Sequence, residues 1–159
     1  MMRPVSSHHK FIDDYNTWNG LLVMSGIDRK ARGSEHIYKN KDNTAALWFG
    51  SIDNLWKLGK PVGKGGPWKN TSVRKDVLSD PYLMTGYDKK TLIVQADKDV
   101  TITLWVNISH SLKQKMPYAE FKLKAGQEMQ YIFPEGFSAH WAYLSADKNC
   151  TATGQFIYE

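Results

Sequence analysis

The sequence predicts an all-β protein: an antiparallel β-sandwich, jelly-roll-like, with a long irregular loop and at most one short helix. Three observations predict it. Apolar residues recur at every second position through most of the chain, helical periodicity is nearly absent, and short polar turns separate the alternating runs.

The clearest alternation is VTITLWVNIS, residues 100–109. Val100, Ile102, Leu104, Val106 and Ile108 share one face, and Thr101, Thr103, Trp105 and Asn107 the other. KTLIVQA precedes it, with DKD between them as a short hairpin turn. YAEFKLKAG turns Phe121, Leu123 and Ala125 inward, and QEMQYIF follows. SAHWAYLSA and NCTATGQFIYE form two more strands around the turn DKN, and GLLVMSG and AALWFGS read as strands nearer the start. Eight or nine strands result. The best helix signal is SIDNLWKLG, with Ser51 or Asp53 as cap and Gly59 as stop.

A chain of 159 residues suits one domain. It is read as an N-terminal arm over residues 1–19 and a β-sandwich over residues 20–159. Formal net charge is +5, but the basic residues are interleaved with acids, and nucleic-acid binding needs clustered charge. No nucleic-acid partner is expected. No apolar run approaches 18 residues, so no membrane partner is expected either. The first residues carry no apolar leader segment, which places a complete chain in the cytoplasm; a fragment of a longer parent would fit a secreted or periplasmic protein. A single cysteine, Cys150, excludes an intrachain disulfide and reads as a buried, inert thiol.

The segment from Ile52 to Tyr82 lacks strand pattern. It contains GKPVGKGGPWK, where the glycines and prolines set the backbone path, Gly65 and Gly66 are free to take positive φ, and Trp68 pins the loop.

Three strings, LWFGSIDNLWKLGKPVGKGGPW, SDPYLMTGYDKKTL and FPEGFSAHWAYLSADKNCTATGQFIYE, resemble the C-terminal β-sandwich region of a family of uncharacterised bacterial proteins, many from gut Bacteroidetes. The resemblance runs from about Trp18 onward. It implies the sandwich fold, and a further region before TWNGLLVMSGI in longer members. It transfers no activity and no catalytic residue.

His8, His9, His36, His110 and His140 are scattered without ligand spacing, so no metal and no cofactor are expected. GKGG lacks the spacing of a phosphate loop, and no nucleophile motif occurs. The sharper feature is aromatic. Sugars offer flat C–H faces to Trp and Tyr rings, and their hydroxyls need amide or carboxylate partners. Trp56, Trp68, Tyr82 and Tyr87, with Asp53 and Asp80, form such a palette, and the leading expectation is a non-catalytic, carbohydrate-binding domain. The competing account of Trp68 is plain packing against the sheet. A glycoside-active enzyme using Asp53 and Asp80 is one alternative. Another is a self-association module, a homodimer through residues 11–27, where Phe11, Ile12, Tyr15 and Trp18 precede the strand from Leu21 to Met24.

Overall fold

The structure, a computed structural model, describes residues 4, 6–7, 12–28, 30, 35–109, 111 and 113–159. Phe11, His8, His9 and His110 lie outside the described residues. The fold is all-β, with antiparallel sheets and one short 3-10 helix, Ile52–Lys57. The chain divides into two compact units, Val5–Lys60 and one built around Pro61–Glu159.

The first unit is a four-stranded sheet in the order β1-β2-β4-β3: β1 Tyr15–Trp18, β2 Leu21–Met24, β3 Ile37–Lys39 and β4 Ala46–Gly50. β1 lies inside the segment read from sequence as an arm. Asn19 and Gly20 both take positive φ, 48° and 79°, in a two-residue turn that sets Trp18 opposite Leu21. These are the requirements of a type I′ hairpin, which the Asn-Gly dipeptide meets. One face of this sheet buries Met24, Ala46 and Trp48, joined by Ile27. Gly50 belongs to that packing, because a Cβ there would strike the Trp48 ring. The 3-10 helix starts at Ser51, whose amide and hydroxyl both donate to the Asn54 side-chain carbonyl, at 2.8 and 2.6 Å.

The second unit is a sandwich of two four-stranded sheets. One has the order β10-β7-β12-β5 and the other β6-β11-β8-β9. Their strands are β5 Gly63–Val73, β6 Tyr82–Leu83, β7 Lys90–Ala96, β8 Val100–Asn107, β9 Met116–Leu123, β10 Glu128–Ile132, β11 Trp141–Ala146 and β12 Cys150–Tyr158. Alternate residues of β7, β8, β11 and β12 fill one core: Leu92, Val94, Ile102, Leu104, Ala142, Leu144 and Phe156 are all fully buried. Ile108 and Ala125, expected inward, are exposed, because β8 ends at Asn107 and β9 at Leu123. Cys150 is buried, and burial pushes its thiol pKa up.

Two turns differ from their sequence reading. β7 and β8 do not pair, nor do β11 and β12; residues 97–99 and 147–149 are arches from one sheet to the other. Aspartates tie the arches down. Asp97 Oδ1 accepts the Thr151 amide at 2.8 Å and Asp147 Oδ1 accepts the Thr101 amide at 2.9 Å, so each arch caps the strand that follows the other arch.

The 3-10 helix stands where SIDNLWKLG led to it, but the expectation that Ile52 to Tyr82 carries no strand is corrected: it contains β5, the longest strand of the described residues. Among the described residues β5 pairs only with β12, across two register shifts, so it is a sheet edge there, where Pro67 is tolerated. Gly65 and Gly66 do not take positive φ. They answer close approach instead: a Cβ on Gly66 would lie 2.7 Å from the Gln155 Cα, and one on Gly65 would strike the Tyr82 hydroxyl.

Candidate functional site

The six residues singled out in the sequence are divided between the two units. Asp53 and Trp56 lie on the 3-10 helix, where Trp56 is 56% exposed. Trp68, Asp80, Tyr82 and Tyr87 belong to the sandwich unit. Trp68 is 4% exposed in the sandwich core, and its carbonyl accepts Gln155 Nε2 at 2.7 Å. Its ring lies against Gly154, as the packing account requires. Asp80 is exposed, and its backbone carbonyl accepts the Ser79 hydroxyl at 2.9 Å.

Tyr82 and Tyr87 are brought together on Tyr158. Tyr87 stacks on it with centroids 4.1 Å apart, and Tyr82 stacks on Phe156 at 5.4 Å and 8°. Burial raises the phenol pKa of both. Both rings are half-buried and spend their faces on each other's neighbours, which makes this stack a closure for the end of the core.

Among the described residues no group of three or more His, Cys, Asp or Glu could hold a metal ion. His36 Nδ1 lies 2.9 Å from the Phe49 carbonyl, and His140 is buried with its ring edge-on to Trp141. Lys90 is also buried; its ammonium donates to the Tyr87 and Phe137 carbonyls at 2.6 and 3.1 Å, and burial lowers its pKa. It ties two loops together.

The surface with most chemical potential is one that the sequence reading missed. Because side chains alternate along a strand, burying Ala46 and Trp48 of β4 turns Leu47 and Phe49 to the opposite face of the first sheet. Trp18, Leu21 and Tyr38 share that face, and together these side chains line a groove of about 510 Å³. Trp18 meets Phe49 edge-on at 6.2 Å and 78°, and Tyr38 meets it at 5.3 Å and 85°. Phe49 is the floor between two rings that are 61% and 62% exposed. The β3–β4 loop closes one end through Asn40. The Asn40 side-chain carbonyl accepts the Thr44 and Ala45 amides at 2.8 and 3.1 Å, and its amide nitrogen donates to the Thr44 hydroxyl. That bracket fixes the end of the groove before any ligand arrives. The signal for it was present: Asn19-Gly20 between TW and LL marks a hairpin, and ALWFG alternates.

Compared with known proteins, the chain matches no family model, no curated sequence and no solved structure.

Proposed function

We propose that the chain is a non-catalytic recognition module whose working surface is the aromatic groove of the first sheet, and that the groove takes carbohydrate. The observation that carries this reading is the pair of exposed rings, Trp18 and Tyr38, standing edge-on to either side of Phe49. Large rings left in water together mark a binding surface. The groove volume falls within the range of small-ligand sites. Rings at the walls suit the C–H faces of a pyranose. Asn40 has a second amide hydrogen for a hydroxyl at the closed end. The sandwich serves as scaffold. Its strand orders, 10-7-12-5 and 6-11-8-9, support a jelly-roll reading, because consecutive strands pass between the sheets at every step but the one from β8 to β9.

A glycan-array screen of the full chain, followed by tryptophan fluorescence titration, tests the proposal. Saturable binding that Trp18→Ala and Tyr38→Ala abolish, and that Trp56→Ala leaves alone, is the expected result. Binding that survives Trp18→Ala, or no glycan above background, overturns it.

A second reading, self-association, draws on the exposure of Trp18 and Leu21 in the β1–β2 hairpin. Its contact would be the aromatic face, because the strand edge is occupied. The Tyr15 and Thr17 amides donate to the Asp14 and Asn16 side chains, both at 2.8 Å. Sedimentation velocity decides it: a dimer that Trp18→Ala dissociates supports the reading, and a single species at every concentration removes it.

A further inference from the structure

We infer that Asn19 is a site of spontaneous covalent modification, and that its conversion dismantles the Trp18 wall of the groove. The reaction needs no enzyme. The backbone nitrogen of Gly20 attacks the Asn19 side-chain carbonyl carbon, a C–N bond forms, and the side-chain amide leaves as ammonia. Water then opens the resulting succinimide at either carbonyl, giving aspartate or isoaspartate.

Three observations single out this asparagine. The first is its neighbour. Of Asn16, Asn19, Asn40, Asn43, Asn54, Asn70, Asn107 and Asn149, only Asn19 precedes glycine, whose amide nitrogen carries no adjacent side chain to block the attack. The second is the side chain. The carbonyls of Asn40, Asn54, Asn70, Asn107 and Asn149 each accept a hydrogen bond from a residue other than the next one, which holds them away from it; that of Asn16 accepts the amide of Thr17, whose β-branched side chain crowds the nitrogen that would attack. The Asn19 side chain makes none among the described residues, and Asn43, the other such case, precedes Thr44. The third is access: Asn19 and Gly20 are exposed, and a Cβ built on Gly20 would meet nothing within 4 Å. Water and hydroxide reach the turn directly.

The consequence follows from the turn. A type I′ hairpin spans two residues with both φ positive. Isoaspartate routes the main chain through the former side chain and adds a carbon atom to the connection between Trp18 and Leu21. The Trp18–Leu21 pair then loses its register, and with it the edge contact of Trp18 on Phe49. Aspartate keeps the main chain and only adds a charge. The covalent step is independent of the carbohydrate reading; the loss of ligand that the altered groove would show rests on that reading.

The test is peptide mapping of the folded full chain held in mildly alkaline buffer, beside a free peptide of sequence TWNGLL. The expected result is an amide-to-acid mass gain and an isoaspartate signature at Asn19, with the other seven asparagines unchanged. Asn19→Gln should abolish it, and the wild-type map decides even if that variant folds poorly. No conversion at Asn19 while the free peptide converts, or equal conversion at Asn43, overturns the assignment. The isoaspartyl form, separated by ion exchange, should show red-shifted tryptophan emission that is missing from the Trp18→Ala background. Unchanged emission overturns the claimed effect on the groove, whether or not any glycan binds.

Discussion

The hydroxyl of Tyr82 lies where Gly65 would carry a Cβ. Gly63 lies beneath Tyr87 with more room: a Cβ there would be in ordinary contact with its hydroxyl, at 3.5 Å. Glycines at alternate positions of β5 thus form a floor for two tyrosines that close the end of the core on Phe156 and Tyr158. Gly65→Ala should destabilise by about 1–3 kcal/mol, the scale of overpacking. Tyr82→Phe removes the obstructing atom, so the double variant should recover part of that loss. A double-mutant cycle from urea unfolding measures the coupling; additive effects would show that Tyr82 is not what the methyl meets.

Trp68 and Trp18 should separate stability from recognition. Trp68 is a core residue, and Trp68→Ala should cost about 3–5 kcal/mol in urea unfolding. Trp18 is mostly exposed, and Trp18→Ala should stay within about 0.5 kcal/mol. A large loss from Trp18→Ala would mean the ring is structural and would weaken the groove as a binding surface.

Much of this architecture is legible in the sequence. β7, β8, β11 and β12 could be read because strands packed in a sandwich alternate apolar and polar residues, and Leu92, Leu104, Leu144 and Phe156 hold that rhythm. β5 could not. An edge strand that must pass beneath two tyrosines and approach β12 closely uses Gly, Lys and Pro, which read as a loop. The arches at Asp97 and Asp147 look like hairpin turns because a three-residue connection serves either purpose; the choice depends on which sheet each strand joins. The groove was hidden for a related reason. Trp18, Tyr38 and Phe49 come from three strands, and only sheet pairing assembles them.

Alkaline pH should weaken the fold. The hydrogen bond with Tyr118, and then burial, push the Tyr131 pKa up to about 12, and burial pushes Tyr158 up as well. The unfolded chain releases these protons near pH 10, where the folded chain still holds them. Their contribution is therefore complete below pH 10 and is lost as pH rises toward 12. Lys90 acts in the opposite sense: its pKa is lowered, so its contribution grows with pH and levels off above its unfolded value of 10.5. Above that point the tyrosines set a downward slope, together with Lys124, whose pKa its hydrogen bond to Asp99 raises. Urea midpoints should fall steeply there, and less steeply in Tyr131→Phe. A flat profile would contradict the buried phenols.

The edge of β1 supplies the last prediction. Ser25 donates its amide to the Asp14 carbonyl at 2.9 Å, so residue 14 faces β2, and by alternation so do residues 16 and 18. The Tyr15 and Thr17 amides therefore point away from the sheet, where a second strand could add. Both are already bonded, to Asp14 Oδ1 and Asn16 Oδ1. A sheet edge with unpaired amides recruits other chains, and local side-chain acceptors are one way to blunt it. Replacing both acceptors, in Asp14→Ala/Asn16→Ala, bares the two amides and removes one negative charge. The double variant should show concentration-dependent association in sedimentation velocity beyond whatever the native chain shows. Adding Thr17→Pro, which deletes one outward amide, should reverse it. If association does not increase, these side chains do not guard the edge. If it increases but survives Thr17→Pro, the added contact lies elsewhere, and the aromatic face carrying Trp18 and Tyr38 is the surface to test next.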